Sequence, residues 1–502
     1  MSRGRLVLSI CALGALVWAC TATAAIPNRP LRTAIYFDPD GARWDPSSES
    51  VALTRTRRAG ATAARITVYW WQIAPPIRPR AWDPSNPGDP NYRWGSLDSR
   101  IRNIVRHGLE PLVTILAAPR WAQGTKPTPP NNSYLPDPVA FGQFAKAVAT
   151  RYSGTFAGLP RVRWWQAWNE PNISLYLVPQ LENGQPISPG WYRRMLNEFA
   201  AAVYSVHPDN VVIAAGLAPF RDITPTVQAQ DSDWGPLSFM RALLCLSKSL
   251  RATCNDRVSF DVWATHPYTS GGPLHHAVLA NDVSLGDLPE MRRTLDAAVK
   301  AHHVQSRRSI QFWVTEFSWD SNPPDRCSPP LTLLDRWIPE ALYRMWANGV
   351  SLVVWLQLQD LPMSRSAYQA GFYFDSLNFA TAKPKPTLEG FRFPFVALRH
   401  GKRVAVWART PFGRPARLLI EQKRRPGGAW EKVALATTNR FGILQKLVSA
   451  KPIGVFRARM FPTNEASLPF SMKVPPDHFY NPFGQPTLLE PTNQPQCQSG
   501  RG

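Results

Sequence analysis

Two glutamates stand at the ends of apolar, strand-like runs, where a polar side chain can face a reacting molecule. Glu170 follows the run RVRWWQAW (161–168), and Glu316 closes the run IQFWVTE (310–316). Two carboxylates can divide one reaction between them, with one acting as an ionised nucleophile and the other as a proton donor. The donor needs a raised pKa, which burial or the negative charge of its partner provides. The sequence therefore predicts nucleophilic and acid–base chemistry at Glu170 and Glu316 if the fold brings them together.

The elements that would position these glutamates are strands that alternate with helices over the first 390 residues. The candidate strands are residues 33–37, 63–70, 110–116, 161–168, 210–216, 259–266, 310–316 and 351–358. Several are apolar along their whole length, as strands covered on both faces are. Eight such strands, each next to a helical stretch, predict an α/β fold of the (β/α)8 TIM-barrel type. A doubly wound sheet is the alternative, but no glycine-rich phosphate loop follows the first strand.

In a (β/α)8 barrel the carboxyl ends of all the strands meet at one mouth, where catalytic residues lie. Glu170 ends the fourth candidate strand and Glu316 ends the seventh. These strands can place two carboxylates across the mouth from each other. A spacing of ~5–5.5 Å between them would suit double displacement at a sugar carbon.

The sequence changes character after residue 395. Residues 396–460 contain short alternating strands between Gly, Pro and Asn turns, which predict a small antiparallel β-sandwich. Residues 461–502 are rich in Pro, Asn and Gln, and we expect them to be extended or disordered unless a disulfide at Cys497 holds them. The predicted organisation is a signal peptide (1–25), a catalytic barrel (26–395), this basic sandwich and this tail.

The first 25 residues have the layout of a secretory signal peptide. Two arginines precede an apolar run (6–20), and a small-residue stretch (22–25) follows it. The apolar run is shorter than the ~20 residues needed to span a bilayer, and lipid attachment at Cys20 is the weaker alternative. No other segment is apolar and long enough to cross a membrane, so the sequence predicts a secreted protein.

Four cysteines remain once the predicted signal peptide is removed, and an oxidising compartment favours their pairing. Cys245 and Cys254 enclose a short loop and are the predicted disulfide pair, while the pairing of Cys327 and Cys497 is left open. Metal ligation is the competing interpretation, but no CxxC motif or histidine cluster accompanies these cysteines. The prediction is therefore a disulfide and no metal site.

The formal net charge of +22 is unevenly distributed, because residues 399–459 contain fifteen Lys and Arg against two Glu. A basic exported surface attracts acidic polymers such as cell-wall polysaccharides or uronic-acid glycans. A solvated basic face without a specific partner is the alternative. Nucleic acid is not predicted as a partner, because export argues against it and no nucleic-acid-binding module is recognisable.

The two strand ends also carry motifs typical of one group of enzymes. WNEP (168–171) and TEF (315–317) resemble the catalytic motifs of clan A retaining glycoside hydrolases, which include family 5 cellulases and family 39 xylosidases. The resemblance covers roughly residues 30–395. It implies Glu170 as the general acid/base and Glu316 as the nucleophile.

The same resemblance implies roles for polar residues around the two glutamates. Asn169 matches an asparagine that binds the sugar 2-hydroxyl, and Arg65 matches an arginine that supports the nucleophile. His266 and Tyr268 match the HxY pair of the sixth strand, in which the tyrosine contacts the nucleophile.

Two tryptophans are predicted to contact substrate. Trp355 matches the strand-eight tryptophan that lies under the sugar ring. Trp121 ends a PRW motif that is similar to family 39, whereas family 5 enzymes usually have a histidine at the end of strand three. Aromatic rings suit the apolar faces of sugars.

These features predict a secreted retaining O-glycosyl hydrolase that cleaves β-glycosidic bonds of a poly- or oligosaccharide substrate, without a metal or organic cofactor. A non-catalytic carbohydrate- or cell-wall-binding protein on a barrel scaffold is the alternative from another class. A transglycosylase is a further alternative, because it would use the same residues as the hydrolase.

Overall fold

The computed structural model describes residues 29–475, apart from residues 43, 126–131, 221–232 and 365–367. The predicted signal peptide and Cys497 lie outside the described residues, as does the predicted tail beyond residue 475. Within these limits the chain forms a barrel that is followed by two antiparallel sheets.

Eight parallel strands form a closed barrel in which each strand pairs with its neighbours in the chain and the last strand pairs with the first. The strands are β1 (Arg32–Tyr36), β2 (Ala63–Tyr69), β3 (Glu110–Leu116), β4 (Trp164–Ala167), β5 (Val211–Leu217), β6 (Val262–Thr265), β7 (Gln311–Phe317) and β8 (Val350–Trp355). The predicted (β/α)8 barrel is confirmed. The doubly wound alternative is wrong, because such a sheet is open at both edges.

Helices separate the barrel strands. Within the residues that the structure describes, the α-helices are α1 (Pro39–Ala42), α2 (Pro46–Arg58), α3 (Trp70–Ile73), α4 (Gly95–Arg106), α5 (Pro138–Arg151), α6 (Ser188–Val206), α7 (Pro236–Leu243), α8 (Leu288–Lys300), α9 (Leu331–Ala347) and, after the last barrel strand, α10 (Thr387–Arg392). Local sequence explains where they begin. For example, Asp137 caps α5 by accepting a hydrogen bond from the backbone N–H of Ala140 at 2.8 Å, and Pro138 occupies its first position.

The barrel interior changes from apolar to polar towards the mouth. Near the amino-terminal end, Trp164 and Trp313 pack edge to face, with ring centroids 5.0 Å apart. Side chains two positions apart on a strand share a face, and the next interior residues on β4 and β7 are Gln166 and Thr315. Thr114 of β3 joins them, and all three are fully buried. The barrel therefore has an apolar base and a polar layer directly below its mouth.

Two antiparallel sheets follow the barrel, as predicted for the β-sandwich. One contains β9 (Phe395–His400), β10 (Arg403–Arg409) and β13 (Ile443–Val448), and the other contains β11 (Arg417–Lys423), β12 (Glu431–Thr437), β14 (Val455–Phe461) and β15 (Phe470–Ser471). The short strand β15 falls within the predicted tail, where it pairs with β14. This part of the tail is therefore sheet.

The sandwich packs against the outside of the barrel. Trp407 of β10 lies against Tyr343 and Trp346 of α9, with ring centroids 5.6 and 5.8 Å apart. Arg409 donates a hydrogen bond to the backbone carbonyl of Leu31 at 2.7 Å. These contacts join the two units at the amino-terminal end of the barrel, away from the mouth.

Smaller features lie outside the two units. Two short strand pairs are formed by Leu181–Glu182 with Gln185–Pro186 and by Val258–Ser259 with Val304–Gln305. The predicted disulfide between Cys245 and Cys254 is confirmed. Among the residues that the structure describes, no helix combines the length and apolarity that a membrane span requires.

Candidate active site

Glu170 lies beyond the end of β4, where the chain makes a sharp turn. Trp168 and Glu170 have φ values of +68° and +42°, a region that is uncommon for bulky residues. The buried indole of Trp168 stabilises the turn by donating to the backbone carbonyl of Tyr176 at 2.6 Å. The backbone N–H of Glu170 donates to the carbonyl of Gly216 on β5 at 3.0 Å. These bonds fix the carboxyl group of Glu170 at the mouth.

Glu316 lies near the end of β7, next to an irregularity in the sheet. The pairing of β7 with β8 shifts register between Val314 and Phe317. Strict alternation would point Thr315 and Glu316 to opposite faces, yet both make contacts inside the barrel. A bulge of this kind re-aims side chains and is common beside active sites.

The two predicted catalytic glutamates lie close together. One carboxylate oxygen of Glu170, one ring nitrogen of His266 and one carboxylate oxygen of Glu316 lie within 4.8 Å of one another. The two glutamate side chains are 13% and 17% exposed, so each is largely buried but still open to a ligand. Carboxyl groups of retaining glycosidases are ~5–5.5 Å apart, and those of inverting enzymes are ~6.5–9.5 Å apart. The approach of the two carboxylates fits the retaining arrangement.

Arg65 of β2 connects the two strand ends. Its guanidinium forms an ion pair with Glu316 and donates to the side-chain oxygen of Asn169 at 2.9 Å and to the hydroxyl of Thr114 at 3.0 Å. The ionic partner and the further hydrogen bonds together compensate for the desolvation of this buried guanidinium. The guanidinium of Arg65 thus lies against both Glu316 and Asn169, and its supporting role stays a prediction.

His266 and Tyr268 approach the glutamates from the end of β6. The Nδ1 atom of His266 lies 2.7 Å from Oε1 of Glu170 and 3.8 Å from Oε2 of Glu316. Its Nε2 atom lies 3.0 Å from the hydroxyl of Thr315. Tyr268 donates to Oε2 of Glu316 at 3.2 Å. The HxY pair therefore contacts both carboxylates.

The surroundings of the two glutamates shift their pKa values in opposite directions. Burial raises the pKa of Glu170, and the negative charge of Glu316 adds to this effect, although His266 acts against it. Burial also favours a higher pKa for Glu316. There, however, attraction to His266 and Arg65 and the hydrogen bonds from Arg65 and Tyr268 outweigh burial and lower the pKa. One carboxyl group thus retains a proton more readily while the other ionises more readily.

The two predicted tryptophans make their hydrogen bonds with backbone carbonyls away from the glutamates. Trp355 is buried, stacks on Phe372 with centroids 4.9 Å apart, and donates to the carbonyl of Ala370 at 2.8 Å. Trp121 donates to the carbonyl of Pro75 at 2.9 Å and packs edge to face against Trp82. Direct contact of either ring with substrate stays a prediction.

Several residues beside the glutamates were not predicted from the sequence. Burial raises the pKa of Tyr368 to about 12, and the charges of Glu170 and Glu316 contribute. The same causes raise the pKa of Tyr176. Gln166 lies in the polar layer below the mouth and was also missed, although its place two residues before Trp168 on an interior-facing strand was a usable signal.

The trio of Glu170, His266 and Glu316 could bring three ligand atoms to one cation. Arg65 is already bonded to Glu316, however, and its guanidinium would lie beside such an ion. Two positive charges at this distance repel each other in a buried site. The arrangement therefore fits proton transfer and nucleophilic attack better than metal binding.

Comparisons with known proteins found no matching family model and no matching curated protein. Among solved structures, a family 39 glycoside hydrolase from Bacteroides cellulosilyticus WH2 aligns with 16% identity and a TM-score of 0.46 over 84% of this chain and 81% of its own. An exo-β-1,4-mannosidase from Opitutaceae bacterium strain TAV5 aligns with 14% identity and a TM-score of 0.43 over 72% of this chain and 58% of its own. A glucosidase from Croceicoccus marinus aligns with 13% identity and a TM-score of 0.44, over 85% and 94% of the two chains. At such low identities and TM-scores, these similarities do not indicate which reaction the protein catalyses.

Proposed function

We propose that the protein is a retaining glycoside hydrolase that cleaves β-glycosidic bonds. The observation that carries this proposal is that one carboxylate oxygen of Glu170 lies within 4.8 Å of one of Glu316. Their pKa values shift in opposite directions, as an acid and a nucleophile require. A carbohydrate is therefore the proposed substrate.

In the first step, the ionised carboxylate of Glu316 attacks the anomeric carbon while Glu170 gives its proton to the departing glycosidic oxygen. The old C–O bond breaks, and a covalent glycosyl ester forms on Glu316. Arg65 and Tyr268 hold Glu316 in place through their bonds to its two oxygens.

In the second step, Glu170 is ionised and acts as a base. It takes a proton from water, whose oxygen attacks the anomeric carbon and releases Glu316. Two inversions give net retention of configuration. Asn169 has its side-chain oxygen bonded to Arg65, so its amide N–H groups remain as donors for a sugar hydroxyl.

Two other functions remain as proposals beside this one. A binding-only barrel does not require two carboxylates with opposite pKa shifts, which favours an enzyme. A transglycosylase would share both steps, except that a sugar hydroxyl replaces water in the second. The ratio of transfer product to hydrolysis product at rising acceptor concentration would separate it from the hydrolase.

Secretion and attachment to acidic polymers are further proposals, supported by the apolar run near the amino terminus and by the basic charge of residues 399–459. Part of that charge is neutralised within the sheet, because Arg457 and Arg459 both bond to the buried Glu421, at 2.8 and 2.9 Å. Retention on a polyuronate column, compared with a neutral glucan column at several salt concentrations, would test the attachment.

The experiment that tests the proposed reaction follows the configuration of the first product. Aryl β-glycosides of several sugars are mixed with the protein inside an NMR tube, and the anomeric proton signals are recorded before the free sugar equilibrates. A retaining enzyme releases the β-anomer first. Initial release of the α-anomer would contradict the proposed double displacement.

A further inference from the structure

We propose that Thr114, Gln166 and Thr315 form a one-directional hydrogen-bond chain that holds the proton of His266 on Nδ1. Through His266 this chain makes Oε1 of Glu170 a hydrogen-bond acceptor and leaves the transferable proton on Oε2. The inference rests on the proposed function for its catalytic meaning. The hydrogen-bond chain itself rests on geometry alone.

The chain begins at Arg65, whose guanidinium can only donate. Its Nε atom donates to the hydroxyl oxygen of Thr114 at 3.0 Å. The hydroxyl hydrogen of Thr114 is then free to donate to Oε1 of Gln166, 3.2 Å away. The first link therefore has a defined direction.

A second fixed point confirms the orientation of the Gln166 amide. The Nε2 atom lies 3.3 Å from the backbone carbonyl of Ala215, which can only accept. Amide nitrogen and oxygen atoms are distinguished by such partners. The same Nε2 atom donates to the hydroxyl oxygen of Thr315 at 3.3 Å. The direction set at Arg65 thus continues across the barrel.

The hydrogen-bond direction continues from Thr315 to His266. Its oxygen accepts from Gln166, so its own hydrogen is available for Nε2 of His266 at 3.0 Å. A ring nitrogen that accepts carries no hydrogen, so the proton of the imidazole lies on Nδ1. Nδ1 faces Oε1 of Glu170 and Oε2 of Glu316, at 2.7 and 3.8 Å. Glu170 carries a proton in the resting state of the proposed reaction, and a protonated carboxyl group can either donate or accept, so the Thr315 side determines the tautomer.

The opposite tautomer would leave a buried hydrogen without an acceptor. If Nε2 of His266 donated, the hydroxyl of Thr315 would face two donors, and its own hydrogen would have no partner among the described residues. Unpaired polar groups in a barrel interior are unfavourable. The hydroxyl of Thr315 therefore selects the Nδ1–H tautomer.

Gly216 provides the space in which this chain forms. A Cβ atom at this position would lie 2.4 Å from Nε2 of Gln166 and 2.9 Å from Nε2 of His266. The residue also has a φ of +74°, which favours glycine. Any larger residue would push apart the two side chains that the chain connects.

The consequence for the reaction concerns which oxygen of Glu170 carries the proton. Oε1 accepts from His266 in both protonation states of the carboxyl group. Oε2 makes no hydrogen bond to the described part of the protein, so it is the oxygen that gives the proton to the leaving group and later takes one from water. The charged and titratable groups around His266 are Glu170 and Glu316, with Arg65 and Tyr268 bonded to Glu316. Thr114, Gln166 and Thr315 are positioning residues, because they act through His266.

The test uses histidine-labelled protein and two variants of one residue. Long-range 1H–15N correlation spectra give the tautomer of each histidine, and the signal of His266 is assigned from its loss in His266→Asn. The wild type and Thr315→Ser are expected to show Nδ1–H with an unprotonated Nε2. Thr315→Val lacks the donor and is expected to lose this preference. A wild-type ring protonated at Nε2, or an unchanged tautomer in Thr315→Val, would overturn the proposal.

Kinetics provide a second readout. Thr315→Val is expected to reduce kcat about 10- to 100-fold through misplacement of the acid and to move the alkaline limb of the pH profile, whereas Thr315→Ser restores both. Thr33→Val, which removes a buried hydroxyl from β1, is the matched control with unchanged activity. The NMR spectra give the tautomer of His266 without turnover, so they test this inference even if the protein cleaves no glycoside. If the protein cleaves a glycoside but His266 is protonated at Nε2, this inference is wrong while the proposed function stands.

Discussion

Arg65 and Glu316 form an ion pair across the barrel although 251 positions separate them in the chain. The arginine side chain is 1% exposed and the glutamate side chain is 17% exposed. The cation is therefore held in the interior while the carboxylate reaches the mouth. This relationship requires that β2 and β7 belong to one closed sheet, and it places an ionised carboxylate where a substrate can meet it.

Removing the nucleophile should abolish turnover without unfolding the protein. In Glu316→Gln the side chain keeps its size but cannot form the glycosyl ester, so kcat should fall by about 10⁴-fold or more. The exposed Glu431 offers a matched control, because Glu431→Gln makes the same chemical change in the β-sandwich, outside the barrel. Activity of Glu316→Gln within tenfold of the wild type would show that another group is the nucleophile.

The Arg65–Glu316 pair should contribute to stability in a pH-dependent way. Arg65→Met leaves Glu316 buried without its partner and should lower the free energy of unfolding by about 3–5 kcal/mol at neutral pH. Because the folded pKa of Glu316 is lowered, the contribution is present above the unfolded carboxyl pKa of ~4.3 and is lost as the pH falls through the folded value. The difference in free energy of unfolding between Arg65→Met and the wild type should therefore become smaller as the pH falls.

Denaturant titrations at several pH values measure this difference. Arg100→Met is the control, because Arg100 pairs with Asp40, whose side chain is 67% exposed, and such surface pairs contribute only about 0–1 kcal/mol. An equal loss of free energy of unfolding in both variants would show that the buried Arg65–Glu316 pair contributes no more to stability than an exposed pair.

The pH dependence of kcat/KM should be bell-shaped. Activity should rise as Glu316 loses its proton, below the ordinary carboxyl range, because its pKa is lowered. It should fall as Glu170 loses its proton, above that range, because its pKa is raised. A substrate with a strongly acidic phenol as leaving group needs no proton, so with Glu170→Gln and this substrate the alkaline limb should disappear. If the alkaline limb persists in Glu170→Gln, it reports the deprotonation of another group, and its assignment to Glu170 is wrong.

Gly216 should tolerate alanine far less well than a glycine of similar backbone geometry. Gly216 and Gly184 both have a φ of +74°, but an added Cβ at Gly184 meets nothing within 4 Å. Gly184→Ala should lose about 1 kcal/mol of stability from backbone strain alone. Gly216→Ala adds the collision with Gln166 and His266 and should lose more stability together with most of the activity. Thermal unfolding and kcat of both variants test this, and equal effects would contradict it.

Much of this site follows from sequence because strand ends and chain order determine it. Glu170 and Glu316 close apolar runs at the fourth and seventh positions of an eightfold alternation, and barrel topology brings those ends together. Arg65 lies on an interior-facing position of β2, so its meeting with Glu316 follows from the same geometry.

The rest depends on contacts that no local pattern specifies. The register shift beside Glu316 arises between two strands, so alternation along one strand does not reveal it. Tyr368 comes from a connection after β8 that has no periodicity. Trp355 does stand at the end of its strand, but Phe372 from the same connection covers its ring. Phe470–Ser471 was too short to predict as a strand, because only its pairing with β14 defines it.

Covalent trapping of the nucleophile would test the proposed glycosyl ester on Glu316. The purified protein is incubated with 2-deoxy-2-fluoro glycosyl fluorides of glucose, xylose and mannose, and its peptides are analysed by mass spectrometry over time. A fluorine beside the anomeric carbon slows both steps, and the reactive leaving group lets the ester form faster than it breaks down. We expect one adduct, on the peptide that carries Glu316, and none in Glu316→Gln. An adduct on Glu170 or another residue, or turnover of an aryl β-glycoside of the same sugar without any adduct, would contradict it.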